Sequence, residues 1–214
     1  MPKFCACGKA NSADHALSCM KGGYTIMRHN NVRDTFVSIC REVCKDVTVE
    51  PQLIPNAVLE EKSCLDFGAR GVWSPLEKTL CDVRIFHSGA ESYKNRNLED
   101  IFKHHEQEKK SKYLDHVLNV EKCGFTPLVY STHGGCGPEA ENFQKRLATL
   151  LASKRSIPYS DAISYVRRRL RFSILRTTLI AIRGFRGPKV IQHNPSEDVD
   201  INLLPKSSRY EHLV

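Results

Sequence analysis

No stretch of this chain approaches the ~18 consecutive apolar residues that a membrane-spanning helix needs. Residues 1–20 carry Cys, Gly, Asn and His where an export signal needs an apolar core. Neither a membrane protein nor a secreted one is expected. Glycine (12) and proline (10) are too few and too scattered among 214 residues for a collagen, a mucin-like stalk or a disordered chain. Internal repeats and low-complexity tracts are also missing. The glycines at 134, 135 and 137 follow neither the dinucleotide nor the P-loop spacing, so a nucleotide fingerprint is excluded. What remains, at 41% hydrophobic and 26% charged residues, is a globular chain with room for one core and short appendages.

Acidic residues almost vanish between positions 154 and 189, where ten Lys or Arg face Asp161 alone. That segment carries more net positive charge than the +8 of the whole chain. A local excess of this kind points to a polyanion, most often nucleic acid. Arg167, Arg168, Arg169 and Arg171 lie on a helical pattern whose Ile163, Val166, Leu170, Ile174 and Leu175 face a core. The arginines then form a candidate groove for a phosphate backbone, read without regard to sequence and weakened by salt. Arg183, Arg186 and Lys189 extend it.

Periodicity divides the chain into residues 1–23, a cysteine-rich module closed by Gly22-Gly23; 24–153, a core; 154–189, a basic helical extension; and 190–214, a tail. Helices are predicted at 24–45, 98–120, 139–153 and 160–182, from apolar steps of three and four residues. Strands are predicted at 47–49, 63–67 with 69–73, 79–86 and 126–131. The Ser74-Pro75 turn makes the middle two antiparallel neighbours. The fold class is α/β: a small mixed β-sheet flanked by helices, in the order αβββαβ, with an N-terminal metal knuckle and extra C-terminal helices.

Nine cysteines, an odd number in a chain without an export signal, are expected as thiols or thiolates. Six stand alone in apparent helices and strands, as small buried hydrophobes. The other three differ. Cys5-Ala6-Cys7, then His15 and Cys19, offer four ligands of the type and close spacing that tetrahedral zinc takes. His15 and Cys19 are one helical turn apart, and four protein ligands close the site, so this zinc would be structural. Free cysteines are the alternative, and Asp14 reads as a solvated cap.

A second constellation is carboxylate-based. Asp66 and Asp82 lie in adjacent strands, and antiparallel pairing can bring both to one end of a shared face. Like charges that close call for a cation, and Mg²⁺ or Mn²⁺ with oxygen ligands fits. Glu50, ending the preceding strand, is the third candidate ligand, and Glu42 a less favoured one. The long helix presents Lys109 and Lys110, either of which could serve the attacking water or the charge it creates; a Glu/Lys run of this kind is otherwise a solvated face. At the start of the first helix, Arg28, His29 and Arg33 could touch a phosphate, or act as caps and surface pairs.

Cys-x-Cys, His and Cys, then Asp66, Asp82-Val83 and a Lys-Lys-x-Lys-Tyr helix together resemble the restriction-like endonuclease domain of site-specific non-LTR retrotransposons, within the PD-(D/E)XK nuclease superfamily. The resemblance spans residues 5–131. It implies a helix, three strands, a helix and a strand; DNA cleavage with Mg²⁺; and a zinc knuckle just before the core. It makes Asp66 and Asp82 metal ligands and Lys109 or Lys110 the lysine. Leu65 stands where the name-giving motif has proline, and Arg84 where the commonest version has lysine. Arg84 can hold a phosphate but cannot relay a proton at ordinary pH. In the retrotransposon pattern the lysine sits on the following helix. The expectation is a Mg²⁺-dependent DNA endonuclease, intracellular and nuclear, with RNA as the other polyanion; the alternative is a catalytically inactive, zinc-stabilised nucleic-acid-binding module.

Overall fold

The computed structural model describes residues 3–5, 7–55 and 63–184. Its helices are α1 (Ala13–Ser18), α2 (Tyr24–Val43), α3 (Leu98–Asn119), α4 (Pro138–Arg155) and α5 (Tyr159–Arg183). Its strands are β1 (Lys45–Val49), β2 (Phe67–Arg70), β3 (Lys78–Phe86) and β4 (Gly124–Ser131). Arg186, Lys189 and the tail 190–214 lie outside the described residues.

The strands form one four-stranded mixed sheet in the order β1-β2-β3-β4. The first two pairings are antiparallel. The β3–β4 pairing is parallel, with α3 as the crossover, and it sets Asp82 opposite Pro127. A proline without an N–H is tolerated there because β4 is an edge strand. The chain is mixed α/β as its periodicity predicts, with helices flanking the sheet.

Alternation along β3 distributes its side chains between two helix layers. Cys81 and Val83 join the main core with α2, α4 and α5, whereas Leu80 packs with Tyr113 and Val117, and Phe86 with Ile101 and Phe102 of α3. By the same alternation Asp82 belongs to the α3 side. Phe36 of α2 is the hub of the main core: its ring lies 6.0 Å from Phe67, 5.9 Å from Tyr130 and 5.7 Å from Phe143. Gly22 and Gly23, at φ 87° and 70°, supply the left-handed backbone that starts α2.

Several expectations need adjustment. The strand-like run across 63–73 shrinks to Phe67–Arg70, because Gly71 at φ 95° turns the chain and Cys64 makes only an isolated bridge with Gln52. Asp66 therefore sits just before β2, not within a strand. The basic helix α5 is seated in the main core through Ala162, Val166, Leu170 and Ile174, while Leu175 is exposed. Of the six lone cysteines, Cys40 and Cys81 are buried, Cys44, Cys123 and Cys136 partly so, and Cys64 is exposed. Among the described residues no helix is long and apolar enough to cross a membrane.

Candidate functional site

The N-terminal module is a tight loop followed by a short helix. Cys5 N–H donates to the Lys9 carbonyl, Gly8 N–H to the Cys5 carbonyl, and Gly8 takes φ 87° at the bend. Ser12 caps α1 by accepting from the His15 N–H at 3.1 Å. His15 sits on α1 and Cys19 at its end, so both point toward the loop. The ligand atoms of Cys5, Cys7, His15 and Cys19 all lie within 4.8 Å of one another. Cys5 Sγ and Cys19 Sγ are 3.7 Å apart, and Cys7 Sγ lies 3.2 Å from His15 Nε2.

A tetrahedron with Zn–S bonds of about 2.3 Å has S···S edges of about 3.8 Å, so the donor set and its spacing could hold a metal such as zinc. The Lys9 backbone N–H holds the Cys7 thiol below its ordinary proton affinity, while burial pushes Cys19 up.

This module is fastened to the body at two points. Arg28, only 3% exposed, donates Nη2 to the Leu17 carbonyl at 2.9 Å. Burial lowers its pKa to about 10. The expectation that Arg28 touches phosphate is corrected, because the guanidinium is enclosed between α1 and α2. Asp14 is likewise more than a solvated cap: its Oδ1 lies 3.0 Å from Nε2 of the buried His87.

The acidic constellation forms at the middle of β3, just beyond the start of β2. Asp66 Oδ2 accepts the Val83 N–H at 2.6 Å and lies 3.2 Å from His29 Nε2. The same His29 nitrogen is 3.0 Å from the Val83 carbonyl oxygen. Two acceptors around one ring nitrogen require that it carry the proton. The hydrogen bond to Asp66 holds the His29 pKa above its ordinary value. His29 thus orients a carboxylate, a role that sequence reasoning missed when it offered this residue to a phosphate or to a cap or surface pair. The pair is 37 residues apart and belongs to two elements, so no local pattern could have disclosed it.

Asp82 is 7% exposed. Burial raises its proton affinity, the nearby charge of Asp66 adds to that, and Lys109 opposes it. Lys109 Nζ lies 2.8 Å from Asp82 Oδ2, a close ion pair to a buried oxygen. Lys110 points elsewhere, to Glu139. Of the two lysines, the helix brings the first to the acidic site and gives the second to α4. Glu106 does not pair with Lys110; it accepts the Glu139 N–H at 3.0 Å at the start of α4.

Glu50 pairs with Arg33 and is 58% exposed in its side chain. Arg33 also holds Asp34 at 2.9 Å. Glu50 therefore does not join Asp66 and Asp82 as a third carboxylate, and Arg33 is engaged by acids. Glu42 faces the junction of α4 and α5, against Arg155 at the end of α4 and Arg169 of α5. Arg84 pairs with Glu108 at 2.7 Å, across from the helix that carries Lys109.

The α5 arginines separate into two flanks. Arg167, 3.4 Å from Glu141, and the exposed Arg171 line a cavity of about 230 Å³ beside Cys136. Arg168 and Arg169 line a larger groove, of about 540 Å³, against α2. Sequence reasoning did not single out Tyr165, Phe172 and Arg176 of that groove, whose aromatic and basic types at steps of seven and four residues were the available signal. Compared with known proteins, the chain matches no family model and no curated protein, so its function is to be argued from this geometry.

Proposed function

We propose that this chain is a metal-dependent DNA endonuclease with a restriction-endonuclease-like core, of the kind found in site-specific non-LTR retrotransposons. What supports the reading is the close ion pair of Lys109, from α3, with the buried Asp82 of β3, and the charge of Asp66, from the loop before β2, near enough to raise the proton affinity of Asp82. The order α2-β1-β2-β3-α3-β4 is consistent with it.

The acidic donor set fits a hard divalent ion. Asp82 is buried against Lys109, and its proton affinity is raised in a way that only cations offset. Asp66 and Asp82 would hold Mg²⁺ or Mn²⁺, which when bound makes water more acidic and stabilises negative charge on phosphoryl oxygens. His29 and the Val83 N–H fix Asp66 Oδ2 in place. Lys109 supplies positive charge where the pentavalent phosphorus accumulates negative charge, and offers hydrogen bonds to the attacking water. Among the described residues no Ser or Tyr hydrogen-bonds Asp66 or Asp82, and His29 is held between Asp66 and the Val83 carbonyl, so water is the nucleophile, attacking phosphorus in line with the P–O bond that breaks. The Cys/His module, holding zinc, would keep α1 folded against α2 and α5.

The engagement of Glu50 by Arg33 leaves two carboxylates where three were expected, and this favours a second reading, a nucleic-acid-binding module without catalysis. Nicking of supercoiled plasmid with Mg²⁺ or Mn²⁺ separates the two. Wild-type protein is expected to nick, and Asp82→Asn to be slower by at least about 100-fold. Equal nicking by both proteins overturns the endonuclease reading. Retardation of DNA on a gel, with no nicking by either protein, leaves the binding module.

A further inference from the structure

The groove between α2 and α5 has features that cleavage at Asp66 and Asp82 does not use. Phe172 is 72% exposed and stands on α5 midway between Arg168 and Arg176, four residues from each. Those steps place all three on one face of the helix. Arg168 bonds only its own helix, Nε to the Ser164 carbonyl at 3.3 Å, and neither it nor Arg176 has a carboxylate partner among the described residues. Arg169 differs: Tyr165, Ser38 and Glu42 hold it in the groove floor. Ser173 Oγ, also lining the groove, is buried with no hydrogen-bond partner. Asn31 and Thr35 of α2 form the opposite wall.

An exposed aromatic ring flanked by two unneutralised guanidinia is a stacking platform with a phosphate contact on each side. Arg168 and Arg176 are about 12 Å apart along the helix axis, roughly the length of three stacked nucleotides at about 3.4 Å each. A groove of about 540 Å³ admits a base and its sugar, but not a double helix, whose bases are already stacked and covered. We infer that this groove holds a single-stranded segment of the DNA, with one base stacked on Phe172 and phosphates about three nucleotides apart on Arg168 and Arg176. The inference rests on the endonuclease reading for the identity of the strand. It adds that the DNA is unpaired beside the cut. His29 and Arg33 lie on one flank of α2, toward Asp66 and Glu50, whereas Asn31 and Thr35 lie on the other. The groove thus opens on the flank of α2 opposite to the one from which His29 reaches Asp66.

Fluorescence anisotropy without added divalent ions reads this binding while cleavage is silent. The probes are labelled oligo(dT) of about 12 nucleotides, a duplex of equal length and oligo(U), within the usual site sizes for strand binders. Phe172→Ala is expected to weaken oligo(dT) binding about 10-fold, to leave duplex binding unchanged and to preserve its salt dependence. Arg168→Gln with Arg176→Gln should lower affinity and flatten the salt slope. Phe172→Leu keeps an apolar side chain without a π-face, and should match the alanine variant. Wild-type affinity for oligo(dT) in Phe172→Ala, an equal loss on duplex, or tighter binding of oligo(U) than oligo(dT) overturns the inference. Asp82→Asn should bind oligo(dT) as wild type does. A chain that never nicks but still needs Phe172 for oligo(dT) refutes the endonuclease reading alone, and one that nicks through Asp82 but ignores Phe172 refutes this inference alone.

Discussion

Lys109→Met is expected to slow plasmid nicking by about 10²- to 10⁴-fold while leaving the fold intact. The side chain is long enough to keep its packing over Tyr113, whose ring centroid lies 5.8 Å from the Lys109 amine. What the change removes is the charge 2.8 Å from Asp82 Oδ2. Two consequences follow, and they have opposite signs for different observables. Cleavage loses stabilisation of the charge developing on phosphorus. Asp82 loses the cation that opposes burial, so its proton affinity rises further. A carboxylate binds metal only when ionised, so the acidic limb of the pH–rate profile should move to higher pH in Lys109→Met. Lys110→Met, which breaks only the pair with Glu139, should leave both the rate and the limb close to wild type. If the Lys110 variant is the slower of the two, the assignment of Lys109 is wrong.

Cys19→Ser should reduce zinc content from about one ion per chain to none, measured by atomic absorption on protein purified without chelators, and should open residues 3–23 to proteolysis. Structural zinc in small modules contributes about 10–16 kcal/mol of apparent binding free energy, far more than the few apolar contacts this short helix makes. Ala16 and Leu17 are its buried residues, and a six-residue helix is too short to persist by itself. The rest of the chain should stay folded, because the core around Phe36, Phe67, Tyr130 and Phe143 draws nothing from the module. Its melting should nevertheless fall, since unfolding of α1 releases Asp14 from His87 and leaves the buried Arg28 without the Leu17 carbonyl. Full zinc content in Cys19→Ser would remove the module from the account.

The readable parts of this chain are those encoded by neighbours in sequence. The Cys/His cluster is legible because its four ligands fall within 15 residues, on a loop and one helical turn. Helices α2 to α5 are legible from apolar residues at helical steps, and β3 and β4 as short, nearly continuous buried runs. The rest depends on the third dimension. Lys109 and Lys110 are adjacent and chemically equal; only the rotation of α3 against β3 gives one to Asp82 and the other to Glu139. His29 and Arg28 are also neighbours, yet one turns toward Asp66 and the other under α1. Glu50 looked like a ligand because it ends a strand, but an arginine one helix away takes it. Strand β2 was overread because a positive-φ glycine at 71, silent in a hydropathy pattern, ends it early. Charge patterning located the α5 arginines correctly but could not divide them between two flanks of the helix, nor see that Phe172 stands among those on the α2 side.

The claim on which the rest turns is that Asp66 and Asp82 share one divalent ion. Titration calorimetry of the zinc-loaded protein with Mn²⁺, at a pH well above the ordinary carboxylate range, tests it without reference to any substrate. One Mn²⁺ should bind per wild-type chain, and its heat should vanish in both Asp66→Asn and Asp82→Asn. No binding to wild type at millimolar Mn²⁺, or an undiminished heat in either variant, would contradict the account.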